Sequence, residues 1–392
     1  MTTANLLNPL SGIKVIEVAQ GVAGPHSGKI LAGLGADVIK IELPPDGDWT
    51  RRVGPFISET NKLESSSLFL HNNTGKSSVL LDWRTKNGFE KLVNLTSTAD
   101  ILIEDWDIST RQKLSISTTF FTDKNKKLID LCVTPFGLHG PYASFKSTPI
   151  IQFALGGFMD IMGNPNEEPL MIPGFQADYI AGLNANNAIQ IALWERDIST
   201  NCGAFLEISM IESMANLHQA PFQRQKSGLR KRSGHRQSAL STTGFPPGVS
   251  TLPASDGYVT FGGGSKGIFE TLCLMLNRPE LSDHKDFQDV FANPDSGILF
   301  DELMMNWMEG KTKQEVFIEV SSMWLLPVSP VNTIKDIIND EQYNHKNIFQ
   351  EVDHPISGIA TYPTLPFTVN KTKLTVNRSP LLNEHNKELD GI

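Results

Sequence analysis

Short apolar runs alternate with segments of helical periodicity in the first part of the chain. Residues Ile13 to Ala19 (IKVIEVA) predict a buried strand, and Pro25 to Leu34 predict a helix that Gly35 ends. The next apolar run, Ala36 to Glu42, predicts a second strand. The segment between the two strands is long enough for a parallel crossover. We therefore expect a strand–helix–strand unit at the start of the fold.

The same alternation continues beyond residue 75. Strands are predicted at Val79 to Asp82, Ile101 to Glu104 and Leu128 to Val133, and a helix at Thr85 to Thr96. Strands that alternate with helices indicate a mostly parallel sheet with helices on both faces. The fold class expected from the pattern is therefore α/β.

A change of residue composition after Ala220 predicts a domain boundary. Basic residues crowd between Arg224 and Arg236, and a stretch rich in Ser, Thr, Gly and Pro follows up to Pro253, so residues 223–253 are expected to form a linker. A strand at Tyr258 to Phe261 and later helical patterns predict a small α/β domain over residues 254–326. From position 327 onward short strands and loops return.

Composition narrows the class of protein. The 392 residues are 40% hydrophobic and 20% charged, as in an ordinary globular protein. A net charge of −9 argues against nucleic-acid and membrane-surface binding. Cys132, Cys202 and Cys273 are widely spaced, which favours a reducing compartment and gives neither a disulfide framework nor a metal site. The N-terminus does not resemble a signal peptide and no run of 18 apolar residues occurs, so we expect a cytoplasmic protein.

Three nucleotide-related motifs are incomplete. Gly262 to Gly267 fits G-x-G-x-x-G between a strand and a helix, but no strand with an acidic end follows about twenty residues later. Thr74 to Ser77 is similar to the end of a P-loop, yet Leu70 stands where its first glycine belongs. The basic run has no interleaved aromatic residues, which favours a solvated linker over a nucleic-acid site. Plain turns and a linker are the simpler interpretations.

Asp178 is the strongest candidate for a catalytic carboxylate. It stands at the start of an Ala-rich segment of helical spacing, Asp178 to Trp194, so its simplest role is an N-cap. A carboxylate at a helix start is also held in place and kept ionised by the helix dipole. An ionised, fixed carboxylate is what covalent acyl transfer needs. His139 and Tyr142 are acid–base candidates in a loop, although a surface role is the simpler interpretation for both.

Nine segments in order, from about Pro9 to Glu388, resemble the class III CoA-transferases, also called the CaiB/BaiF family. This family contains formyl-CoA and carnitine CoA-transferases together with 2-methylacyl-CoA racemases. The segments are PLSGIKVIEVAQGVAGPHSGKILAGLGADVIKIE, GDWTR, NTGKSSVLLD, ADILIED, FGLHGPYA, IIQFALGGFMDIMG, GFQADYIAG, LPVSPVNTIKDIINDEQ and SPLLNEH.

The resemblance implies an architecture and a site. It implies a Rossmann-like large domain built from residues 1–222 and 327–392, a small domain, and an interlocked homodimer of ring-like subunits. It also implies that Asp178 is the catalytic residue and that the substrates are an acyl-CoA and a small carboxylic acid. The positions implied to contact coenzyme A are Val22, Ala23, Lys76, Asp105, Trp106 and Lys113.

Several positions depart from the family pattern. Leu43 replaces a basic residue that often follows the second strand, Asp105 and Trp106 fall in the usual ENF segment, and Lys113 replaces an arginine. The Trp106 ring is a candidate to stack on adenine. These departures keep open a non-catalytic CoA-binding protein as one alternative.

The resemblance also implies a mechanism. Asp178 attacks the donor thioester to form an anhydride, and the CoA thiolate then converts the anhydride into an aspartyl-CoA thioester that the acceptor acid attacks. Amides of the turn Gln20 to Gly24 and of the helix after Asp178 are candidates to stabilise oxyanion charge. The rival within the family is a racemase, but the segment Lys146 to Pro149 lacks the histidine that racemases place there.

Overall fold

The computed structural model describes residues 8–59, 61–163, 167–218, 249–262, 265–287 and 294–389. These residues divide into two compact units. Unit 1 contains Met1–Gly156, Pro173–Leu217 and Asp340–Ile392, and unit 2 contains Gly157–Ile172 and His218–Asn339, each within the described ranges. The fold of unit 1 positions the residues that the sequence singled out for chemistry.

A six-stranded, fully parallel sheet forms the centre of unit 1. Its order is β3-β2-β1-β4-β5-β6, which is the strand order of doubly wound Rossmann sheets. The strands are β1 (Lys14–Glu17), β2 (Asp37–Glu42), β3 (Ser77–Leu80), β4 (Ile101–Glu104), β5 (Ile129–Thr134) and β6 (Phe205–Ser209). The predicted α/β fold with a parallel sheet is confirmed.

Helices cover the two faces of this sheet. The helices of unit 1 are α1 (Ala23–Gly33), α2 (Ser67–Asn72), α3 (Lys86–Ser97), α4 (Ile108–Leu114), α5 (Phe120–Lys124), α6 (Pro149–Leu155), α8 (Gln176–Glu195), α9 (Met210–Ala215) and α14 (Glu341–His345). Adjacent residues of β1 point to opposite faces: Val15 packs with Leu31 and Ala181, whereas Ile16 packs with Leu92 and Trp106. The continuous apolar runs in the sequence reflect this burial on both faces.

The C-terminal part of unit 1 consists of two small hairpins. Strands β10 (Phe349–His354) and β11 (Gly358–Pro363) pair antiparallel, as do β12 (Thr368–Val369) and β13 (Thr372–Lys373). Gly75 at the start of β3 donates its N–H to the carbonyl of Arg378, so the chain end is tied to the central sheet.

Unit 2 has its own sheet and its own apolar core. Strands β7 (Val249–Ala254), β8 (Gly257–Gly262) and β9 (Val328–Pro330) form an antiparallel sheet. The helices of unit 2 are α7 (Phe158–Ile161), α10 (Lys266–Met275), α11 (Pro294–Met308), α12 (Lys313–Met323) and α13 (Ile334–Asn339). Residues 157–172 and 327–339 thus lie in unit 2, whereas the sequence placed them with the large domain.

The incomplete motifs fall in contexts that do not suit nucleotides. The strand before the glycine-rich segment, β8, is antiparallel to both neighbours, whereas a dinucleotide site needs a parallel βαβ unit; residues 263 and 264 lie outside the described residues. Thr74 to Ser77 leads into a strand, whereas a P-loop leads into a helix. The basic run and the linker up to residue 248 also lie outside the described residues. None of the described helices combines the length and apolar character that crossing a membrane requires.

Candidate active site

The loops after β1 and β4 meet at the point where the strand order of the sheet reverses. Strands β2 and β3 lie on one side of β1, and β4, β5 and β6 lie on the other. In open α/β sheets this reversal creates a crevice outside the carboxyl ends of the strands, where ligands bind. Here the N–H of Gln20 donates to Oδ2 of Asp105 at 3.0 Å, which joins the two loops at the crevice.

The turn after β1 is fixed by Asp48 and Trp49. Gly21 has a φ of +83°, and a Cβ added there would lie 2.7 Å from the Trp49 indole, so the turn needs glycine for its conformation and for this close packing. The Gly21 N–H donates to both carboxylate oxygens of Asp48 at 3.2 Å. Asp48 in turn accepts from the N–H of Thr50 at 2.9 Å.

A buried ion network lies beneath this turn. Glu17 pairs with Lys40 at 3.0 Å and with Lys76 at 2.8 Å, and Lys40 also pairs with Asp48 at 2.8 Å, with all four side chains fully buried. Burial alone would lower the pKa of Lys40, but Asp48 and Glu17 outweigh burial and raise it. Burial raises the pKa of Asp48, but the Lys40 ammonium and the hydrogen bonds from Lys40 and Thr50 together outweigh burial and lower it, so the carboxylate stays ionised. These ion pairs stabilise the conformation of the turn.

Helices α1 and α8 cross in close contact beside the turn. A Cβ on Gly182 would lie 2.6 Å from the carbonyl oxygen of Ala23 and 3.1 Å from Cβ of His26. Further along both helices, Asn187 and Ile30 line the same cavity. Asp178 lies one turn before Gly182 on the same face of α8, and so one helical turn from this contact with the first turn of α1.

Asp178 is the third residue of α8. The N-cap is Phe175, so the predicted capping role of Asp178 is wrong, because the helix begins at Gln176, two residues earlier than expected. Burial raises the pKa of Asp178 from 3.8 to about 6, although its own backbone N–H acts to lower it. Its Oδ2 is buried, and no described residue hydrogen bonds to it. We expected the helix dipole to keep this carboxylate ionised. Instead, burial has the largest effect on its pKa and raises it.

An aromatic pair links Asp178 to the turn. The rings of Trp49 and Phe175 lie with centroids 6.0 Å apart, and Phe175 precedes Asp178 by three residues. Trp49 thereby touches both the Gly21 turn and the start of α8. The Asp178 carboxylate thus has a buried oxygen without a hydrogen-bond partner among the described residues, in the first turn of α8, which is an arrangement suited to a nucleophile.

Comparison with known proteins identifies the family. The model of CoA-transferase family III matches residues 10–386. The chain belongs to CoA-transferase family III. A succinate–glutarate CoA-transferase of Agrobacterium fabrum is 28% identical, over 97% of this chain and 94% of that protein. A succinyl-CoA:mesaconate CoA-transferase of Haloarcula hispanica is 28% identical, over 98% of this chain and 96% of that protein.

A crystal structure supports the same assignment. A CaiB/BaiF family protein of Brucella suis is 30% identical, with a TM-score of 0.82 over 98% of this chain and 99% of that chain. The predicted family and the predicted enzyme class, a CoA-transferase, are thus confirmed.

The residues that the family III resemblance assigned to coenzyme A lie in different environments. Val22 and Ala23 are buried at the start of α1, where the Ala23 carbonyl packs against Gly182 of α8. Asp105 follows β4 in the crevice, where burial, opposed by the Gln20 N–H, raises its pKa to about 7. Lys113 is exposed near the end of α4. These four positions stay predictions as CoA contacts.

Two of the residues that the family III resemblance assigned to coenzyme A already have partners within the protein. The Lys76 Nζ is enclosed by Glu17, the Pro25 carbonyl and Asn73, so it is already bound within the protein. Trp106 is 2% exposed and packs against Trp83 with ring centroids 5.2 Å apart, because it belongs to the core beneath the sheet. The Lys76 ammonium and the Trp106 ring therefore have no exposed surface with which to contact a phosphate or an adenine in this arrangement.

Other sequence expectations concerned amides and acid–base groups. The N–H groups of Gln20 and Gly21 already have carboxylate partners, which leaves the helix-start positions Ala23 and Gly24 as donors. His139 is exposed and shares a surface cavity with Gln112 of α4. Trp49 was missed, although the GDWTR segment that the family shares contains it; a sequence pattern alone does not tell which residue packs on the turn.

Proposed function

We propose that this family III member transfers coenzyme A from an acyl-CoA to a carboxylic acid and that Asp178 is the nucleophile. The observation that carries the proposal is the Asp178 carboxylate in the first turn of α8, with one buried oxygen to which no described residue hydrogen bonds. The named relatives act on succinyl-CoA or on succinate and glutarate, so a dicarboxylic acid is the first acceptor class to test.

The first half of the reaction has two balanced steps. An Asp178 oxygen attacks the thioester carbonyl carbon, the C–S bond breaks, and coenzyme A leaves as a thiolate while an aspartyl–acyl anhydride forms. The thiolate then attacks the Asp178 carbonyl carbon, expelling the donor carboxylate and leaving an aspartyl-CoA thioester. The acceptor carboxylate repeats these steps in reverse, so the thioester bond energy is retained and no ATP is consumed.

Helix starts supply the electrostatic stabilisation in this proposal. The N–H groups of Ala23 and Gly24 have no partners within α1, because the first turn of a helix leaves its amides free. Such fixed donors stabilise the oxyanion that develops on the carbonyl under attack. The low polarity that raises the pKa of Asp178 also makes its carboxylate a stronger nucleophile and slows hydrolysis of the anhydride.

Coenzyme A is expected to enter along the crevice between the loops after β1 and β4. Val22 and Ala23 line its reactive end, and Lys113 is the exposed cation available to its phosphates. Lys76 acts as a positioning residue, since its ammonium holds Glu17 beneath the turn. Asp105 and Trp106 belong to the loop that forms the second wall of the crevice.

The interlocked homodimer and the cytoplasmic location are also part of the proposal, carried by the family resemblance. Light scattering over a dilution series should give a particle of twice 43.2 kDa, with no folded monomer. A stable folded monomer at micromolar concentration would contradict the dimer without affecting the assignment of Asp178.

The test of the activity uses Asp178→Asn and the matched control Asp283→Asn. Each enzyme is incubated with succinyl-CoA and a panel of acids that includes glutarate and mesaconate, and new thioesters are detected by mass. Asp178→Asn should fold and lose essentially all transfer, because an amide cannot carry the acyl group. The exposed Asp283 should tolerate the change without loss. Transfer by Asp178→Asn at a substantial fraction of the wild-type rate would overturn the proposal.

A further inference from the structure

Unit 1 contains a cavity of about 460 Å³ whose lining includes neither Asp178 nor the loops after β1 and β4. It lies along α1 and α8, and the segment that follows β11 forms another wall. Lys29, His71, Thr74 and Asn186 are among its polar side chains, and Leu183, Leu365 and Phe367 are among its apolar ones.

Lys29 is a buried cation without a carboxylate partner among the described residues. The residue is 8% exposed, and its Nζ lies 3.2 Å from Nε2 and 3.4 Å from Nδ1 of His71. Burial and the Lys76 ammonium lower the pKa of Lys29 to about 7, and no described acid opposes them. Burial and Lys29 lower the pKa of His71 to about 3, so the imidazole is neutral. The ammonium therefore lacks the counter-charge that Lys40 and Lys76 have.

A buried, unpaired ammonium costs folding free energy, and an anion bound from solution would offset that cost. The side chains that line the cavity determine which kind of anion fits. Leu183, Leu365 and Phe367 line the cavity, and an inorganic ion would leave these apolar side chains uncovered. A molecule with a charged head and a short apolar tail complements both Lys29 and these apolar side chains.

We propose that this cavity binds a small organic carboxylate, with its head on Lys29 and its apolar tail against Leu365 and Phe367. The Thr74 hydroxyl and the Asn186 amide also line the cavity, and the buried Asn186 Nδ2 has no hydrogen-bond partner among the described residues. The site is distinct from Asp178: Asn186 follows it by eight residues of α8, a rise of roughly 12 Å at about 1.5 Å per residue. The proposal does not rest on the transfer reaction.

The experiment measures hexanoate binding to the full-length protein by titration calorimetry, with hexanol and inorganic phosphate as comparison probes. Lys29→Met keeps the length of the side chain and removes the charge, and Lys335→Met is the control at an exposed position. We expect Lys29→Met to weaken hexanoate binding at least tenfold and Lys335→Met to leave it unchanged. Hexanol and phosphate should each bind at least tenfold more weakly than hexanoate to the wild type.

A second measurement does not depend on a variant. A bound carboxylate raises the pKa of Lys29, so wild-type protein should take up protons on binding hexanoate near pH 7.5, measured in two buffers of different ionisation enthalpy. The titratable groups that face Lys29 are His71 on α2, His26 on its own helix, Lys76 before β3 and, beyond His71, Tyr179 on α8. Both histidines have lowered pKa values and are already neutral at this pH, so they do not contribute.

Binding is also measured in Asp178→Asn to separate the two sites. Retention of hexanoate affinity in this variant, together with its loss in Lys29→Met, supports the proposed site. Loss in Asp178→Asn with retention in Lys29→Met would place the probe at the nucleophile and overturn the proposal. Equal binding of hexanol, or the absence of both binding and proton uptake in the wild type, would also overturn it.

Discussion

The buried charges of unit 1 include two groups that differ in how they are paired. In the first group, Glu17, Lys40, Asp48 and Lys76 form ion pairs of 2.8 to 3.0 Å near the Gly21 turn. We call these four residues the paired network. The second group consists of Lys29 on α1 and Asp178 on α8, and neither is paired with an opposite charge in the described residues.

The difference lies in which effect sets the pKa. In the paired network, the partners outweigh burial for Lys40 and Asp48, so these groups stay charged, whereas burial lowers the pKa of Lys76 to about 8 against the opposing charge of Glu17. For Asp178 and Lys29 burial dominates, and their pKa values move towards neutrality, to about 6 and about 7. Groups shifted by burial without a partner are typical of reactive or ligand-binding positions, whereas paired groups stabilise the fold.

The largest expected effect on stability comes from Glu17→Ala. The substitution leaves Lys76 buried without its carboxylate, and breaking a buried pair from one side costs about 3–5 kcal/mol. Urea unfolding should show this loss. The control is Glu59→Ala, because Glu59 forms an exposed pair with Lys62 that contributes at most about 1 kcal/mol. A loss for Glu17→Ala no greater than for the control would mean that the paired network does not stabilise the fold.

A smaller loss is expected from Gly28→Ala. The added Cβ would lie 1.9 Å from Oε2 of Glu17, and the carboxylate cannot move away without breaking its pairs with Lys40 and Lys76. Overpacking of this kind costs about 1–3 kcal/mol. The matched control is Gly267→Ala in α10, where no atom lies within 4 Å of the new Cβ, so stability should hold or rise slightly. Equal melting temperatures for the two variants would contradict a rigid network.

The smallest expected effect is a gain in stability, in the variant Asp178→Asn. The pKa of Asp178 is raised from 3.8 to about 6 in the folded protein, so ionising it costs stability as pH rises through this window. Asp178→Asn removes the cost, and the variant should be more stable than wild type above pH 6, with the gap narrowing as pH falls towards 4. Melting temperatures measured over pH 4 to 8 test this; a variant less stable than wild type at pH 7.5 would show that the carboxylate is paired.

The sequence predicted much of the fold, because parallel strands buried on both faces leave unbroken apolar runs. The strand at Ile101 to Glu104 was predicted with its observed bounds, and β2 was predicted to within one residue at its start. The start of α8 was wrong by two residues because Phe175 caps the helix through its backbone position alone, without a side-chain hydrogen bond. Such a cap leaves no signature in the sequence.

The candidate site was predictable only in part. The family resemblance pointed to Asp178 and to the turn at Val22 and Ala23, and Ala23 lies at the crossing of α1 and α8, one turn of α8 from Asp178. The partners of Lys76 and the burial of Trp106 depend on contacts between segments far apart in the chain, which spacing does not encode. The absence of an acid beside Lys29 within the described residues is likewise a property of packing.

The central claim is that Asp178 carries the acyl and CoA groups in turn, and trapping the intermediate tests it most directly. Wild-type enzyme is mixed with succinyl-CoA and quenched with hydroxylamine, which converts an activated aspartyl group into a hydroxamate. The account predicts a hydroxamate on the peptide that contains Asp178, formed only when succinyl-CoA is present and absent in Asp178→Asn. Steady turnover with no modification of that peptide, or modification of another residue in its place, would contradict the account.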